Sequence, residues 1–265
     1  MRRTAPGVAA LTARTVLAWI RRDPRAAALE RTNFRGRTVT LAGGPALAAG
    51  ATVGAALGAG SARTAAAAVA AGAVSGAVGF YDDLIGNRPE QKAVKGFAGH
   101  LGALREGHVT SGLVKIAGVG AAALVASALL GGRKRDIVLG AGVIAGTANL
   151  VNLLDLRPGR AIKAGTVIGT PLSLGAGGGL AAGALGAGAA LLPDDLGEEI
   201  MLGDAGANAL GALLGLALAA RTGTAGRAVA LTVLAGLTAA SEKISFTKVI
   251  QETPWLRRLD ELGRS

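Results

Sequence analysis

The stretch IVLGAGVIAGTANLVNLLD at positions 137–155 joins a long apolar run to a polar end, and Asp155 is its only charged residue. Its apolar part is close to the roughly 20 residues that a helix needs to cross a bilayer. Similar uncharged windows recur at 38–62, 64–81, 116–132, 164–193, 205–220 and 228–241. A soluble domain has no reason to repeat such windows, so the sequence predicts an all-α, polytopic integral membrane helix bundle.

The composition agrees with a membrane protein and excludes several other classes. Charged residues are 17% of the 265, below the roughly 25% of soluble domains. The 43 glycines would let membrane helices approach closely, although a codon bias explains them equally well. There is no cysteine, which excludes a disulfide framework and a thiol nucleophile. The formal net charge is +11, and the charged residues lie between the apolar windows. This placement indicates membrane orientation, so we predict no nucleic-acid partner.

We expect a single membrane domain, 1–265, with about nine transmembrane helices. They are placed near 5–20, 38–60, 63–81, 112–132, 136–154, 203–220 and 226–242, with two short helices inside 164–193. The last window is too long for one straight crossing, and its central glycines favour a turn. Segment 5–20 has no signal-peptide cleavage site, and whether it spans the bilayer is left open.

Charge predicts the orientation of this bundle. With nine spans, segments 21–37, 82–110, 155–163, 194–203 and 243–265 share one side and hold most of the Lys and Arg. The positive-inside rule makes that side cytoplasmic, although the basic run 133–135 falls opposite. We therefore predict a multi-pass protein of the inner (plasma) membrane, with cytoplasmic active-site loops at 21–37, 82–110, 155–163 and 194–203. The amphipathic tail 243–265 is expected to lie on the membrane surface.

Four carboxylates stand at the ends of apolar helices. Asp82 and Asp83 end the third span, Asp155 ends the fifth, and Asp204 opens a later one. Ionisable groups at membrane depth are costly and usually functional, and adjacent carboxylates repel unless a proton or cation lies between them. Mg²⁺ prefers such oxygen ligands. Each motif alone is more often a helix end or a turn, but together on one face they predict a divalent-cation site.

A polar stripe accompanies these acids. Asn149, Asn152 and Asp155 have i, i+3, i+6 spacing, so they lie within one face of a helix and could bind a ligand between helices.

The loop after the Asp pair is basic. Lys92 and Lys95 could hold diphosphate oxygens, although a positive-inside loop would look the same. His100 in the same loop is either a structural hydrogen-bonding group or a proton carrier.

In this order, the motifs resemble those of the polyprenyl-phosphate N-acetylhexosamine-1-phosphate transferases, the family of phospho-N-acetylmuramoyl-pentapeptide transferase. Four stretches carry the resemblance: TVTLAGGP at 38–45, GFYDD at 79–83, NLVNLLD at 149–155 and MLGDAGANALG at 201–211. The segment KGFAGHL at 95–101 looks like a shorter branch of that family. The resemblance covers about 31–242.

The resemblance implies a cytoplasmic, Mg²⁺-dependent transfer of a sugar-1-phosphate from a UDP-sugar to polyprenyl phosphate, with release of UMP, for cell-envelope glycan synthesis. Mn²⁺ is an alternative ion. Asp204 and Asp83 would hold the metal, and Asp82 and Asp83 would position or deprotonate the lipid phosphate. Residues Asn149, Asn152 and Asp155 would bind the nucleotide.

The sequence departs from the family pattern at three places. After Asp155 the family continues with Gly-x-Asp-Gly, whereas the chain reads LRPGR, so the second acid is lost. Two arginines, Arg157 and Arg160, appear there and are candidate substrate-binding residues. The late loop has no histidines in 241–248, and the final span is missing. These departures predict a donor unlike the muramoyl pentapeptide and leave the donor sugar open.

Other functions stay open at this point. A catalytically inactive relative would act as a membrane scaffold or lipid-binding partner in envelope assembly. A prenyltransferase would need paired Asp-x-x-x-Asp motifs, and many transporters show an inverted repeat, and neither feature is seen. The oligomeric state, a homodimer included, is also open.

Overall fold

The computed structural model describes residues 4–86, 99, 102–103, 105, 107–175 and 177–264. The described chain is nearly all α-helical, as the sequence predicts. Its helices are α1 Ala5–Arg22, α2 Gly43–Gly58, α3 Ala62–Val69, α4 Ser75–Ile85, α5 Ser111–Leu130, α6 Lys134–Leu154, α7 Arg160–Ser173, α8 Gly179–Leu196, α9 Gly203–Arg221, α10 Thr224–Ser241, α11 Phe246–Glu252 and α12 Pro254–Glu261.

Helix α9 is the centre of the bundle. About 78% of its apolar window is buried, and it packs against α2, α4 and α6. Helices α1, α2 and α8 form a second group, in which Gly54 and Gly58 of α2 lie against the backbone of Gly183 and Gly179 of α8. A Cβ atom at any of these glycines would overlap the facing chain, so glycine permits this close approach.

Five helical segments are long and apolar enough to cross a membrane within the described part of the chain. They are Ala62–Ile85, Ser111–Leu130, Lys134–Leu154, Gly203–Arg221 and Thr224–Ser241. The expectation of nine spans is not confirmed. Helices α2 and α7 have only 16 and 14 residues, α1 carries three arginines, and two aspartates at the end of α8 lower its hydropathy.

A β-hairpin interrupts the helices, so the all-α prediction is correct only in the main. Strand β1 (Glu30–Thr32) pairs antiparallel with β2 (Thr38–Thr40). The β-branched run Thr38-Val39-Thr40 favours extended backbone, and for this reason the predicted span at 38–60 begins as a strand. Thr40 also bridges to Ile200, which places the hairpin beside the chain entering α9.

The window 164–193 forms parts of two helices, α7 and α8, with a turn between them, as its glycines predict. Because the chain reverses there, α9 begins at the end of the bundle where α4 ends.

A π-helical turn, Ala70–Val74, joins α3 to α4 within one continuous helical segment. It widens the helix by one residue before the segment that carries Asp82 and Asp83.

Candidate active site

Lys115 joins two of the predicted acids. Its Nζ atom lies 2.7 Å from Asp82 Oδ2 at the end of α4, and it also contacts Asp204 Oδ2 in the first turn of α9. The ammonium group therefore neutralises part of the charge that two carboxylates would otherwise place together. Ser111, at the start of α5, is a further hydrogen-bond partner of Asp82.

Asp83 caps the N-terminus of α9. Its Oδ1 accepts a hydrogen bond from the backbone N–H of Asp204 at 2.9 Å, and its Oδ2 accepts one from Ala205 at 3.0 Å. A carboxylate is favourable there, because the first N–H groups of a helix have no partner within it. Arg31 of the hairpin donates to the Asp83 carbonyl oxygen at 3.1 Å, which links β1 to the same corner.

Glycines explain how these elements come so close. A Cβ atom on Gly79 of α4 would overlap the Asp204 carbonyl group, and one on Gly44 of α2 would overlap the Leu202 carbonyl oxygen. Gly203 has a φ of +56°, and an added Cβ would lie 2.7 Å from Asp83 Oδ1. These glycines belong to three of the four stretches that carry the resemblance, and they allow the acids to lie close together.

The polar stripe on α6 divides between two cavities. Asn152 and Asp155 line a cavity of about 460 Å³ together with Asp83, Asp204 and Arg31. Burial, followed by repulsion from neighbouring carboxylates, raises the pKa of Asp155 well above its usual value. The Asp155 side chain also accepts a hydrogen bond from the Gly203 N–H.

The second cavity, of about 380 Å³, lies on the other side of Asn152 and reaches Lys115. Asn149 lines it and donates to Thr238 of α10 at 3.1 Å. Asn208 of α9 also lines it, and its buried Nδ2 has no hydrogen-bond partner among the residues that the structure describes. The stripe therefore faces two cavities that share Asn152, and its two asparagines do not both line the acid cavity.

A third cavity, of about 230 Å³, lies between the hairpin and the loop after α6. Arg157 from that loop stacks over the Phe34 ring, with its Cζ atom 4.1 Å from the ring centroid. Asp155 and Asp195 line the same cavity, so it borders the acid cluster.

Arg160, the one remaining predicted site residue within the described ranges, does not join this cluster. Arg160 is buried, and its guanidinium donates to Asp260 and Thr247, so the described structure uses it as a structural cation. Lys92, Lys95 and His100 lie outside the described residues.

Three residues of the site were missed by the reasoning from sequence. Lys115 could have been found, because it is the one charge inside an otherwise apolar span. Arg31 and Phe34 carry no such signal, since a hairpin of two short strands brings them to the site.

No three Asp, Glu or His side chains within the described ranges are grouped as a metal site would require. The donor chemistry nevertheless fits a hard divalent cation, because the carboxylates of Asp83, Asp155 and Asp204 line one cavity.

No protein-family model matches the chain, and none of the curated proteins matches it.

Proposed function

We propose that the protein transfers a sugar-1-phosphate from a UDP-sugar to polyprenyl phosphate. An oxygen of the lipid phosphate attacks the phosphorus bonded to the sugar, and the bond from that phosphorus to the oxygen bridging to UMP breaks. The products are a lipid-diphosphate sugar and UMP. The protein need not form a covalent bond to either substrate. It positions two polyanions and lowers the repulsion between them.

The observation that carries the proposal is the meeting of acids from distant motifs. Asp82 and Asp204 share Lys115, Asp83 caps the helix that carries Asp204, and Asp155 lies in the same cavity. One carboxylate is enough to cap the end of a helix. Four carboxylates close together repel one another, and this electrostatic cost is typical of functional sites.

An apolar groove supports a lipid acceptor. A cavity of about 500 Å³ between α6 and α10 is lined by Leu231, Leu234 and Ala235. It shares Thr238 and Glu242 with the cavity that reaches Lys115. We assign the lipid phosphate to the Lys115 end, because its ammonium group would bind a phosphate oxygen while Asp82 holds the ammonium in place.

The opposite side of the acid cluster supports a nucleotide-sugar donor. Asn152 and Asp155 both line the acid cavity, and Asp155 also lines the third cavity. Arg157 lies over the Phe34 ring, and both residues line that third cavity. We assign the donor to this side, and its sugar stays unspecified.

Asp204 and Asp83 are the proposed ligands of Mg²⁺ or Mn²⁺, both of which favour oxygen donors. The ion, when bound, would neutralise charge on the donor diphosphate. Asp83 would at the same time hold the N-terminal turn of α9 in place through its two backbone hydrogen bonds.

The proposed setting is the inner membrane, with the acid cluster on the cytoplasmic side and cell-envelope glycan synthesis as the role. The five apolar helices are compatible with a membrane protein, and the basic segments predict this orientation. A homodimer stays open.

One observation favours the second candidate, an inactive relative that binds lipid. Lys115 already lies between Asp82 and Asp204, and the chain lacks the second acid that the resembled family carries shortly after the counterpart of Asp155. Arg160, which follows that stretch, is paired with Asp260. Such a protein would bind polyprenyl phosphate without turnover.

The test is UMP release by the purified protein from a panel of UDP-sugars, with polyprenyl phosphate and Mg²⁺. We expect Asp204→Asn to lower kcat at least about 100-fold, as for loss of one electrostatic group at a reacting phosphate. Glu252→Gln, which removes an exposed tail carboxylate, is the matched control and should retain activity.

Wild-type activity in Asp204→Asn would contradict the assigned roles. Saturable binding of polyprenyl phosphate, with no UMP from any donor, would favour the inactive relative.

A further inference from the structure

The C-terminal tail is fixed to the body by one buried carboxylate. Asp260 of α12 is 8% exposed. Its Oδ1 accepts a hydrogen bond from Arg160 Nε at 2.7 Å, and its Oδ2 accepts one from Arg160 Nη2 at 2.9 Å. This bidentate geometry is the stronger form of an Arg–carboxylate pair. Nη1 of Arg160 donates to Thr247 Oγ1 of α11 at 2.9 Å, so one arginine contacts both tail helices.

Further contacts tie the tail to the same stretch of chain. Arg264 donates to the Asp260 carboxylate and, through Nε, to the Pro158 carbonyl oxygen at 2.9 Å. Lys163 donates to the Asp260 carbonyl oxygen at 2.6 Å. The tail therefore contacts segment 158–163 from the loop into the first turn of α7.

That segment continues directly into the wall of the third cavity. Leu156, Arg157 and Pro158 line it, and Arg157 lies over Phe34. The next residue, Gly159, has a φ of +72° and donates its N–H to Asp195 Oδ2 at 3.0 Å. The loop is thus held by α8 on one side and by the tail on the other.

We propose that the C-terminal tail is a clasp, and that Asp260 is a positioning residue for the Arg157 loop at the third cavity. The inference rests on the proposed function for its ligand, the phosphorylated nucleotide of the donor. Without the Asp260 charge, Arg160 and Arg264 would face each other with no carboxylate between them, and the tail would leave. The short helices α11 and α12 would not stay folded in isolation.

The electrostatic surroundings agree with such a clasp. Asp260 is faced by Arg160 and Lys163 of α7, by Arg157 of the loop, and by Arg264. Burial alone would raise the pKa of Asp260, but hydrogen bonds from Arg160 and Arg264 lower it to about 2. A lowered acid pKa stabilises the clasp above about pH 4, and this contribution is lost as the pH falls towards 2.

The test compares Asp260→Asn, Asp260→Glu and the control Glu252→Gln in the full chain at pH 7. The first readout is hydrogen exchange of peptides covering 156–163, with trypsin cleavage at the exposed Arg257 and Arg258 as a measure of tail release. We expect Asp260→Asn to speed exchange and cleavage at least about tenfold. Asp260→Glu should recover part of the protection, and Glu252→Gln should match the wild type.

The second readout is kinetic. Asp260→Asn should raise KM for the UDP-sugar about tenfold while KM for polyprenyl phosphate stays unchanged. A released tail with unchanged exchange in 156–163 would overturn the clasp, as would an equal loss in Glu252→Gln. If the wild type releases no UMP, the proposed function fails, and the exchange data still decide for or against the clasp.

Discussion

At the scale of single residues, Lys115 has the most consequential position in the molecule. This lone cation inside an apolar helix contacts carboxylates from two other helices and balances part of their charge. Breaking such a partly buried network by removing one member leaves uncompensated charge.

We predict that Lys115→Met lowers the thermal unfolding midpoint of the purified protein. Methionine fills a similar volume but leaves Asp82 and Asp204 to repel each other, at a cost of about 3 kcal/mol, or about 6–12 °C for a chain of this size. Lys134→Met, at an exposed position on α6, is the control and should change the midpoint little. Equal midpoints for the two variants would contradict the charge-balancing role.

Asp155→Asn should have the opposite effect on stability. The raised pKa of Asp155 means that its ionised form is unfavourable in the folded protein, so its contribution to stability falls as the pH rises above about 4. Asparagine removes the charge and can still accept from the Gly203 N–H. We expect a higher unfolding midpoint than the wild type at pH 7 and a smaller difference at pH 4, measured by a thermal shift series.

The acids themselves were predictable from sequence, because each one ends or opens an apolar run. The hydrogen-bond partners of these acids were harder to predict. Asp83 receives backbone N–H groups from a helix that starts about 120 residues later, and such a contact depends on packing and not on spacing.

At the scale of elements, small residues decide where the helices meet. Gly79 and Gly44 let α4 and α2 contact the first turn of α9, and a side chain at either position would overlap backbone that cannot move aside easily.

Gly79→Ala is therefore predicted to separate α4 from α9 and to weaken the hydrogen bonds that Asp83 accepts from the N-terminal N–H groups of α9. We expect a destabilisation of about 1–3 kcal/mol and a loss of UMP release. Gly120→Ala on α5, where an added Cβ meets nothing within 4 Å, is the matched control and should be neutral or stabilising. Similar results for both would show that close approach is not the reason for Gly79.

The sequence predicted most helices but misplaced some ends. The hairpin was missed, because Thr38-Val39-Thr40 lies inside an uncharged window and hydropathy alone does not separate a strand from a helix. The turn between α7 and α8 was predictable, since several glycines interrupt the window there.

At the scale of the whole molecule, the bundle has two chemically different ends. The acid cluster, the hairpin and the tail contacts lie at one end. The other holds the α9–α10 connection, where Arg227 donates to the Ala219 and Asp136 carbonyl oxygens.

The absence of cysteine makes this polarity testable by single-cysteine labelling. Cysteine at Asn33 or Ser245 should react with an impermeant reagent only from the cytoplasmic side of membrane vesicles. Cysteine at Lys134 or Thr222 should react only from the opposite side, because α6 and α9 are each about 30 Å long. Labelling of Asn33 and Thr222 positions from one side would contradict the orientation.

The π-helical turn at Ala70–Val74 has a consequence for comparing this chain with homologous ones. A π turn takes up one more residue than an α turn while the helix continues in the same direction. Consider a homologue that has a regular α-helix here. Its acidic pair would face the same neighbours only if it had one residue fewer between the counterparts of Ser61 and Asp82. Aligning the two chains would then require a one-position gap inside an apolar helix, where gaps are ordinarily penalised.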